Sequence, residues 1–417
     1  MMDRRSFLRT AAGLAAVLAS GIGVAAPRSA KARVLIVGGG MAGATVAKYL
    51  RLWGDAIDVT LIERQAIYTS SIMSNLVLTG QRTLSGLAYG YDTLRNRYGV
   101  HVINDDVIEV DPVTTSVKLA SGKRLTADRI ILAPGIGFDV VPGLSDINRM
   151  PHAWQAGAQT ALLAQQLAAL PAGGVIAITV PKMPYRCPPG PYERACLIAD
   201  WLKTNKPRAK LILLDANADI AVEKANFQRA FSELYGNVIE YRKGIDITSV
   251  DTKKMTLATS GGLVHADVVN LIPRQRAAAL VAKAGLATDG QARFAPVDVL
   301  SYASAVTPKI HVIGDSCATT QPLAGQMANQ QAKVCADALT RIFAGGAPDP
   351  APVTNSACYS TITRSEAGWM TAVFQYDRGA RAMKAVPASS AASNGWTQKN
   401  FKQMNEWFDA LMADTFA

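Results

Sequence analysis

Cys187 is the residue with the most chemistry to offer. It stands in YRCPPGPYERA at 185–195. Proline fixes φ and lacks an N–H, so CPPGP suits neither a helix interior nor a central strand. The stretch is a stiff loop that presents a thiol. The run after it, ERACLIADWLK, has helical character and puts Cys187 just ahead of a helix N-terminus, whose positive end favours a thiolate. A thiolate attacks sulfur, and with a second cysteine it forms a two-electron couple. The other cysteines are Cys196, Cys317, Cys335 and Cys358. Cys196 and Cys335 fall in helical runs and are expected to pack, as is Cys317 after its Gly-Asp pair. Cys358, in NSACYS after the proline-rich break GGAPDPAPV, is expected in a loop and is the best-suited partner for Cys187. Spacing and composition do not by themselves establish that pair. Glu193 is a candidate for proton handling, with a helix-cap or ion-pair role as the alternative.

Two nucleotide-binding patterns would position these groups. Residues 33–63 read RVLIVGGGMAGATVAKYLRLWGDAIDVTLIE. A buried parallel strand over 34–37 leads into Gly38, Gly40 and Gly43, spaced G-x-G-x-x-G. The first glycine permits a tight turn, the second lets backbone approach a pyrophosphate, and the third lets helix and strand pack closely. A helix over 42–52 would aim its N-terminus at the phosphates. A second strand over 58–62 ends in Glu63, placed to bind a ribose hydroxyl. RIILAPGIG at 129–137 and IHVIGD at 310–315 resemble two further segments of two-dinucleotide flavoproteins, and favour FAD over NAD. In those proteins the aspartate, here Asp315, contacts the ribityl chain. A helix from Gly325 to about residue 339 would point its N-terminus at the flavin pyrimidine ring and stabilise negative charge there. The candidate cofactor-binding set is Gly38, Gly40, Gly43, Glu63, Arg64, Ser74, Asn75, Val107, Pro134, Gly135, Gly314, Asp315 and Gly325.

From residue 173 the pattern restarts: a strand in GGVIAITV, a helix over 194–204, and a strand in AKLILLD ending at Asp215. The loop between first strand and helix should be glycine-rich. It reads VPKMPYRCPPGPYERA instead. Prolines remove N–H donors and obstruct close phosphate approach, so NAD(P)H is a poor candidate substrate. The loop that would hold it carries Cys187.

The chain of 417 residues is 49% hydrophobic, enough for two or three domains. Its formal net charge of +11 falls to +7 without residues 1–32. No dense basic run lies beyond them, which speaks for solubility and an acidic protein partner, and against nucleic acid. No C-x-x-C pair and only 4 histidines argue against a structural zinc site. Arg4 and Arg5, followed by an Ala-rich apolar stretch and small residues, resemble a bacterial twin-arginine export signal. The stretch is short for a membrane span. The expectation is a cleaved signal at 1–32, export to the periplasm, and no stable membrane insertion afterwards.

Taken together, VLIVGGGMAGATVAKYL, MPHAWQAG, YRCPPGPYERA, VVNLIPRQRA, IHVIGDSC, ACYS and the ending WFDALMADTFA resemble the flavoprotein subunit of flavocytochrome c sulfide dehydrogenase, a relative of sulfide:quinone oxidoreductases. The resemblance implies an α/β fold with two Rossmann-like, glutathione-reductase-like domains and a small C-terminal α+β domain. On that layout the FAD domain is 33–143 and 277–346, the second domain 144–276 and the C-terminal domain 347–417. It implies a redox disulfide beside the flavin, mapping onto Cys187 and Cys358, with Glu193 as the nearby acid. Hydrosulfide would open the disulfide to a persulfide, and the displaced thiolate would reduce the flavin. Electrons would go to a c-type cytochrome, carried on another protein because this chain has no C-x-x-C-H. Where the family often attaches FAD through cysteine in Y-T-C-x-x-S-N, this chain has YTSSIMSN at 68–75, with Ser70 or Ser71 in the cysteine's place. Serine forms no thioether, so FAD is expected to be non-covalent. Two other functions compete: quinone reduction at a membrane, using aromatic residues such as Trp369, Phe374, Trp396, Phe401, Trp407 and Phe408, and a non-catalytic FAD accessory that binds a sulfur carrier or a soft metal.

Overall fold

The computed structural model describes residues 32–417. The twin-arginine segment expected at the N-terminus lies outside them. Three of the sheets that the described residues build supply the candidate site: an eight-stranded mixed sheet with a parallel centre, a four-stranded parallel sheet and a four-stranded antiparallel sheet.

The first sheet starts with β1 (Ala32–Val37), α1 (Met41–Trp53) and β2 (Ile57–Ile62). Strands β3 (His101–Ile103) and β4 (Arg129–Leu132) flank this pair in parallel, β3 on β2 and β4 on β1. The apolar runs of β1, β2 and β4 are buried, as both faces of a parallel sheet require. Gly38 has a φ of +99°, and a β-carbon there would lie 2.4 Å from Ala133 O. A β-carbon on Gly43 would lie 1.7 Å from Gly38 O, so this glycine is a packing requirement between α1 and the loop.

The second sheet contains β5 (Val175–Val180), α2 (Gly190–Asn205), β6 (Lys210–Asp215), β7 (Ile239–Lys243) and β8 (Val268–Asn270). Its strand order is β7-β6-β5-β8, all parallel. Helix α2 begins four residues earlier than the apolar run suggested. Gly190 and Pro191 occupy its first turn, where a missing N–H costs nothing because the first N–H groups have no partner within the helix.

The chain then returns to the first sheet through β9 (Ala295–Asp298), β10 (Ala303–Ser304), β11 (Ile310–Val312) and β12 (Cys317–Ala318). Strand β11 pairs in parallel with β4. Helix α3 (Gly325–Phe343) follows and packs on α1. The last region is antiparallel: β13 (Val353–Thr361), β14 (Ala367–Asp377) and β15 (Ala382–Ala385), then α4 (Gln398–Phe416). Cys358 therefore lies within a strand, paired with Met370, and not in the expected loop. The small and β-branched residues of VTNSACYST form a regular ladder with β14, and the proline-rich break ends before them.

Helix α4 docks on α1. Phe416 stacks on Tyr68 and Tyr89 with centroids 5.1 and 5.4 Å apart. Asp414 joins Tyr49, Asn329 and Lys333. Among the described residues no helix is long and apolar enough to cross a membrane.

Candidate active site

A cavity of about 920 Å³ extends from the glycine loop to the two cysteines. Gly38, Gly40, Glu63, Arg64, Ser74, Asn75, Val107, Pro134, Gly135, Gly314, Asp315, Gly325, Cys187, Cys358 and Glu193 all line it. Gly43, the remaining member of the expected set, packs behind it. Glu63 reaches back to the loop, accepting from Gly39 N at 2.6 Å. Asp315 fits the role of a ligand-binding acid. Its Oδ1 is buried and has no partner within the protein, while Oδ2 faces Arg186 at 3.5 Å. An elongated cavity with glycine backbone at one part and an unpaired acceptor along it suits FAD. These residues would hold its pyrophosphate, ribose and ribityl groups.

The Cys187 loop is anchored from both sides. Cys187 N donates to Leu323 O at 2.7 Å, and Gly190 N donates to Cys187 O at 2.8 Å. Cys187 has a φ of +56°, a left-handed conformation that costs a non-glycine residue strain. Trp154 covers the turn, donating through Nε1 to Arg186 O at 3.1 Å.

Cys187 and Cys358 are free thiols in this structure. Burial pushes the Cys187 thiol well up, Cys358 and Glu193 push the same way, and only then does the Arg186 cation oppose them. The expectation of a helix end favouring the thiolate is therefore corrected: desolvation outweighs it. Cys358 is pushed up to about 12 by burial, then by Glu223 and Glu193. The two sulfurs thus have unlike neighbours. Glu193 acts on both; Cys187 has the Arg186 cation in addition, and Cys358 a second carboxylate, Glu223. Cys196, Cys317 and Cys335 are buried, and Cys317 Sγ donates to Gly314 O at 3.0 Å, in keeping with packing roles.

Glu193 sits in the first turn of α2 and is held by three donors. Its Oε1 accepts from Thr361 N at 3.1 Å and Thr361 Oγ1 at 2.6 Å, and its Oε2 from Asn75 Nδ2 at 2.7 Å. Burial still raises its pKa above the ordinary glutamate range. Asn75 is engaged on its other side as well, accepting from Arg194 Nε at 2.8 Å. Arg194 is fully buried and also donates to Asn270 Oδ1 at 2.9 Å and Ala153 O at 2.8 Å. The Asn75 side chain thus joins the first sheet's domain to the second.

The second nucleotide site is filled by protein. Asp215, at the end of β6 where a ribose-binding acid would stand, accepts from Tyr192 Oη at 2.7 Å and Tyr241 Oη at 2.9 Å. Tyr185 is buried with its hydroxyl on Pro188 O at 2.9 Å.

Comparison with known proteins follows the same division. Residues 160–273 match the family described as sulfide dehydrogenase (flavocytochrome c) flavoprotein chain, central. Residues 350–416 match flavocytochrome c sulphide dehydrogenase, flavin-binding. A 45-residue stretch is 47% identical to the sulfide dehydrogenase (flavocytochrome c) flavoprotein chain of Chlorobaculum thiosulfatiphilum, covering 94% of that sequence and 11% of this chain. The chain belongs to the flavocytochrome c sulfide dehydrogenase flavoprotein family.

Its N-terminal part, residues 32–178, matches pyridine nucleotide-disulphide oxidoreductase, and FAD is its cofactor. Apoptosis-inducing factor homolog A of Dictyostelium discoideum is 36% identical over 105 residues, 25% of this chain. That match spans 24% of the Dictyostelium protein's length. The sulfide:quinone oxidoreductase of Aquifex aeolicus has the same fold, with a TM-score of 0.74 at 16% identity over 92% of this chain and 91% of its own. A putidaredoxin reductase–putidaredoxin complex gives 0.66 at 18% identity over 92% and 93%. Both confirm the two-dinucleotide-domain α/β fold. Two further residues line the cavity beside Cys187, Arg186 and Trp154. Both stand in the motifs YRCPPGPYERA and MPHAWQAG, but the sequence does not tell which way their side chains turn.

Proposed function

We propose that this protein is a periplasmic FAD-dependent sulfide dehydrogenase that uses Cys187 and Cys358 as a redox couple and passes electrons to a c-type cytochrome. The observation that carries the reading is the convergence of Cys187, Cys358 and Glu193 at a flavin-sized cavity, from chain segments far apart in sequence. In the oxidised state the two sulfurs share a bond. Hydrosulfide attacks one of them, a sulfur–sulfur bond forms to the substrate, the bond between the cysteines breaks, and the other cysteine leaves as a thiolate. Arg186 stabilises that negative charge at Cys187. Glu193, held in place by Thr361 and Asn75, takes or returns the accompanying proton. Bound FAD supplies an acceptor for two electrons that can be released singly. The cavity's Trp407, bonded through Nε1 to Gln326 Oε1 at 2.7 Å, closes the side formed by α3 and α4. Of the two serines in YTSSIMSN that replace the linking cysteine of the family, Ser71 lines the cavity; serine forms no thioether, and FAD is held without a covalent bond.

The test is anaerobic addition of sulfide to the purified holoprotein with flavin absorbance followed. Bleaching is expected, and its absence would reject sulfide as substrate. Equal bleaching in Cys187→Ser would reject the cysteine couple. Oxidised cytochrome c added to the bleached protein should restore the flavin spectrum and become reduced; stable membrane association with reoxidation by quinone alone would reject the cytochrome.

A further inference from the structure

Arg194 is a fully buried cation whose hydrogen bonds all end on neutral groups. Its Nη1 donates to His152 O at 3.1 Å and Asn270 Oδ1 at 2.9 Å, its Nη2 to Ala153 O at 2.8 Å, and its Nε to Asn75 Oδ1 at 2.8 Å. Each of these acceptors is an amide oxygen. The guanidinium also lies over the Trp154 ring, 4.7 Å from its centroid. A buried charge without a counter-charge is costly. The carboxylate that answers it is Glu193, reached through Asn75.

The Asn75 amide has one orientation open to it. A guanidinium carries donors and no acceptor, so the amide must present its oxygen to Arg194. Its two N–H groups then face the other way, to Glu193 Oε2 at 2.7 Å and Gly190 O at 3.3 Å. Glu193 Oε1 meets another obligatory donor, Thr361 N at 3.1 Å. Each oxygen of this carboxyl therefore faces an N–H that cannot accept a proton, which suits the charged form. The other titratable groups facing Glu193 are Cys187 from the loop before α2, Cys196 from α2 itself, Cys358 from β13, and Glu223 from the segment ahead of the short helix Lys224–Arg229. Each of these can add only negative charge. Arg194 supplies the positive one. Burial lowers its pKa to about 9, and Glu193 opposes that fall.

We propose that Arg194 is the counter-charge of Glu193, acting through the Asn75 amide, so that Glu193 meets hydrosulfide as a carboxylate and takes a proton before it returns one. The inference rests on the reading of Glu193 as the proton-handling group of the cysteine couple. Arg194 and Asn75 are positioning residues. Neither gives up a proton; together they fix the direction in which Glu193 first acts. Because Asn75 belongs to the first sheet's domain and Arg194 to α2, the carboxylate is in this state only where the two domains are joined.

The experiment follows, against pH, the infrared carbonyl band of the protonated Glu193 carboxyl in the oxidised holoprotein, identified by its loss in Glu193→Gln. In the parent the band should be absent at neutral pH; a band present there overturns the proposal. Arg194→Met removes the charge, and the midpoint at which the band disappears is expected to move toward alkali by about one pH unit or more. Arg194→Lys keeps a charge and a donor and should bring the midpoint most of the way back. Equal shifts in the two variants would mark a packing role and overturn the proposal. If Arg194→Met does not retain FAD, Asn75→Leu serves: it leaves the cation in place and breaks its link to Glu193, and the same direction of shift is expected. An unmoved midpoint in the variant that holds FAD overturns the proposal. The band is read without sulfide or cytochrome. A moved midpoint beside flavin that sulfide does not bleach keeps the counter-charge and rejects the activity; bleached flavin with an unmoved midpoint does the reverse.

Discussion

Gly190 gives the Cys187 sulfur its room: a β-carbon at position 190 would lie 2.9 Å from Cys187 Sγ and 2.8 Å from the Trp154 ring. Both distances are shorter than packed atoms tolerate. Gly190→Ala must therefore displace the sulfur or the indole. Overpacking of this kind costs about 1–3 kcal/mol. The expected result is a lower denaturation midpoint together with at least a tenfold slower flavin bleaching by sulfide at unchanged flavin content. Unchanged bleaching would show that the sulfur position is not critical.

Arg186 is the cation beside Cys187, and it also pairs with Asp315 at 3.5 Å. Removing its charge in Arg186→Gln leaves burial and Glu193, which push the thiol upward even where Cys358 is replaced. Alkylation of Cys187 in the reduced Cys358→Ser protein should then need a higher pH than in its parent. A profile unmoved by the substitution would remove Arg186 from any role in stabilising the thiolate.

NADH and NADPH should leave the flavin oxidised under anaerobic conditions. The acid that would bind ribose is taken by Tyr192 and Tyr241, and prolines occupy the phosphate loop. Freeing Asp215 with Tyr192→Phe and Tyr241→Phe together should not create activity, because the loop still lacks the N–H donors that cradle phosphate. Bleaching by either nucleotide would refute this account of the second domain.

Acid precipitation should release the flavin into the supernatant, since Ser71 cannot form a thioether. Colour retained in the washed pellet would show a covalent link through another residue.

Glu223 also makes stability depend on pH. Its pKa is raised from an ordinary 4.5 to about 7 in the folded protein. Between those values the folded state holds more protons than the unfolded chain, so this group's contribution to stability falls as pH rises through the window. Glu193 is shifted in the same direction. Glu223→Gln should flatten the fall in urea midpoint with rising pH across that window, without abolishing it. An equally steep fall in the variant would show that Glu223 is already ionised throughout.

The nucleotide-binding framework was legible because its constraints are local. The glycine spacing, the apolar strands and Glu63 lie within one continuous stretch, and the structure puts β1, α1 and β2 where that stretch suggests. The proline loop was legible as a departure from the same rule. Cys358 reads as a loop residue because a proline-rich break precedes it, whereas the ladder that VTNSACYST forms depends on β14, a partner strand that the local residues do not name. The setting of Glu223 is hidden for a different reason. Its segment, AVEKANF, looks like an ordinary polar helix start, and its hydrogen-bond partner Ser360 lies 137 positions away. No local pattern encodes such a meeting.

Cys187 belongs to the loop before α2 and Cys358 to β13, and β13 is fastened to α2 by the Thr361–Glu193 hydrogen bonds. A sulfur–sulfur bond between them would therefore form only in a molecule whose regions have already docked. It would act as a certificate of assembly: a chain that folds its sheets but leaves the antiparallel region undocked exposes two separated thiols. Thiol labelling could thus sort finished molecules from unfinished ones before any substrate is added.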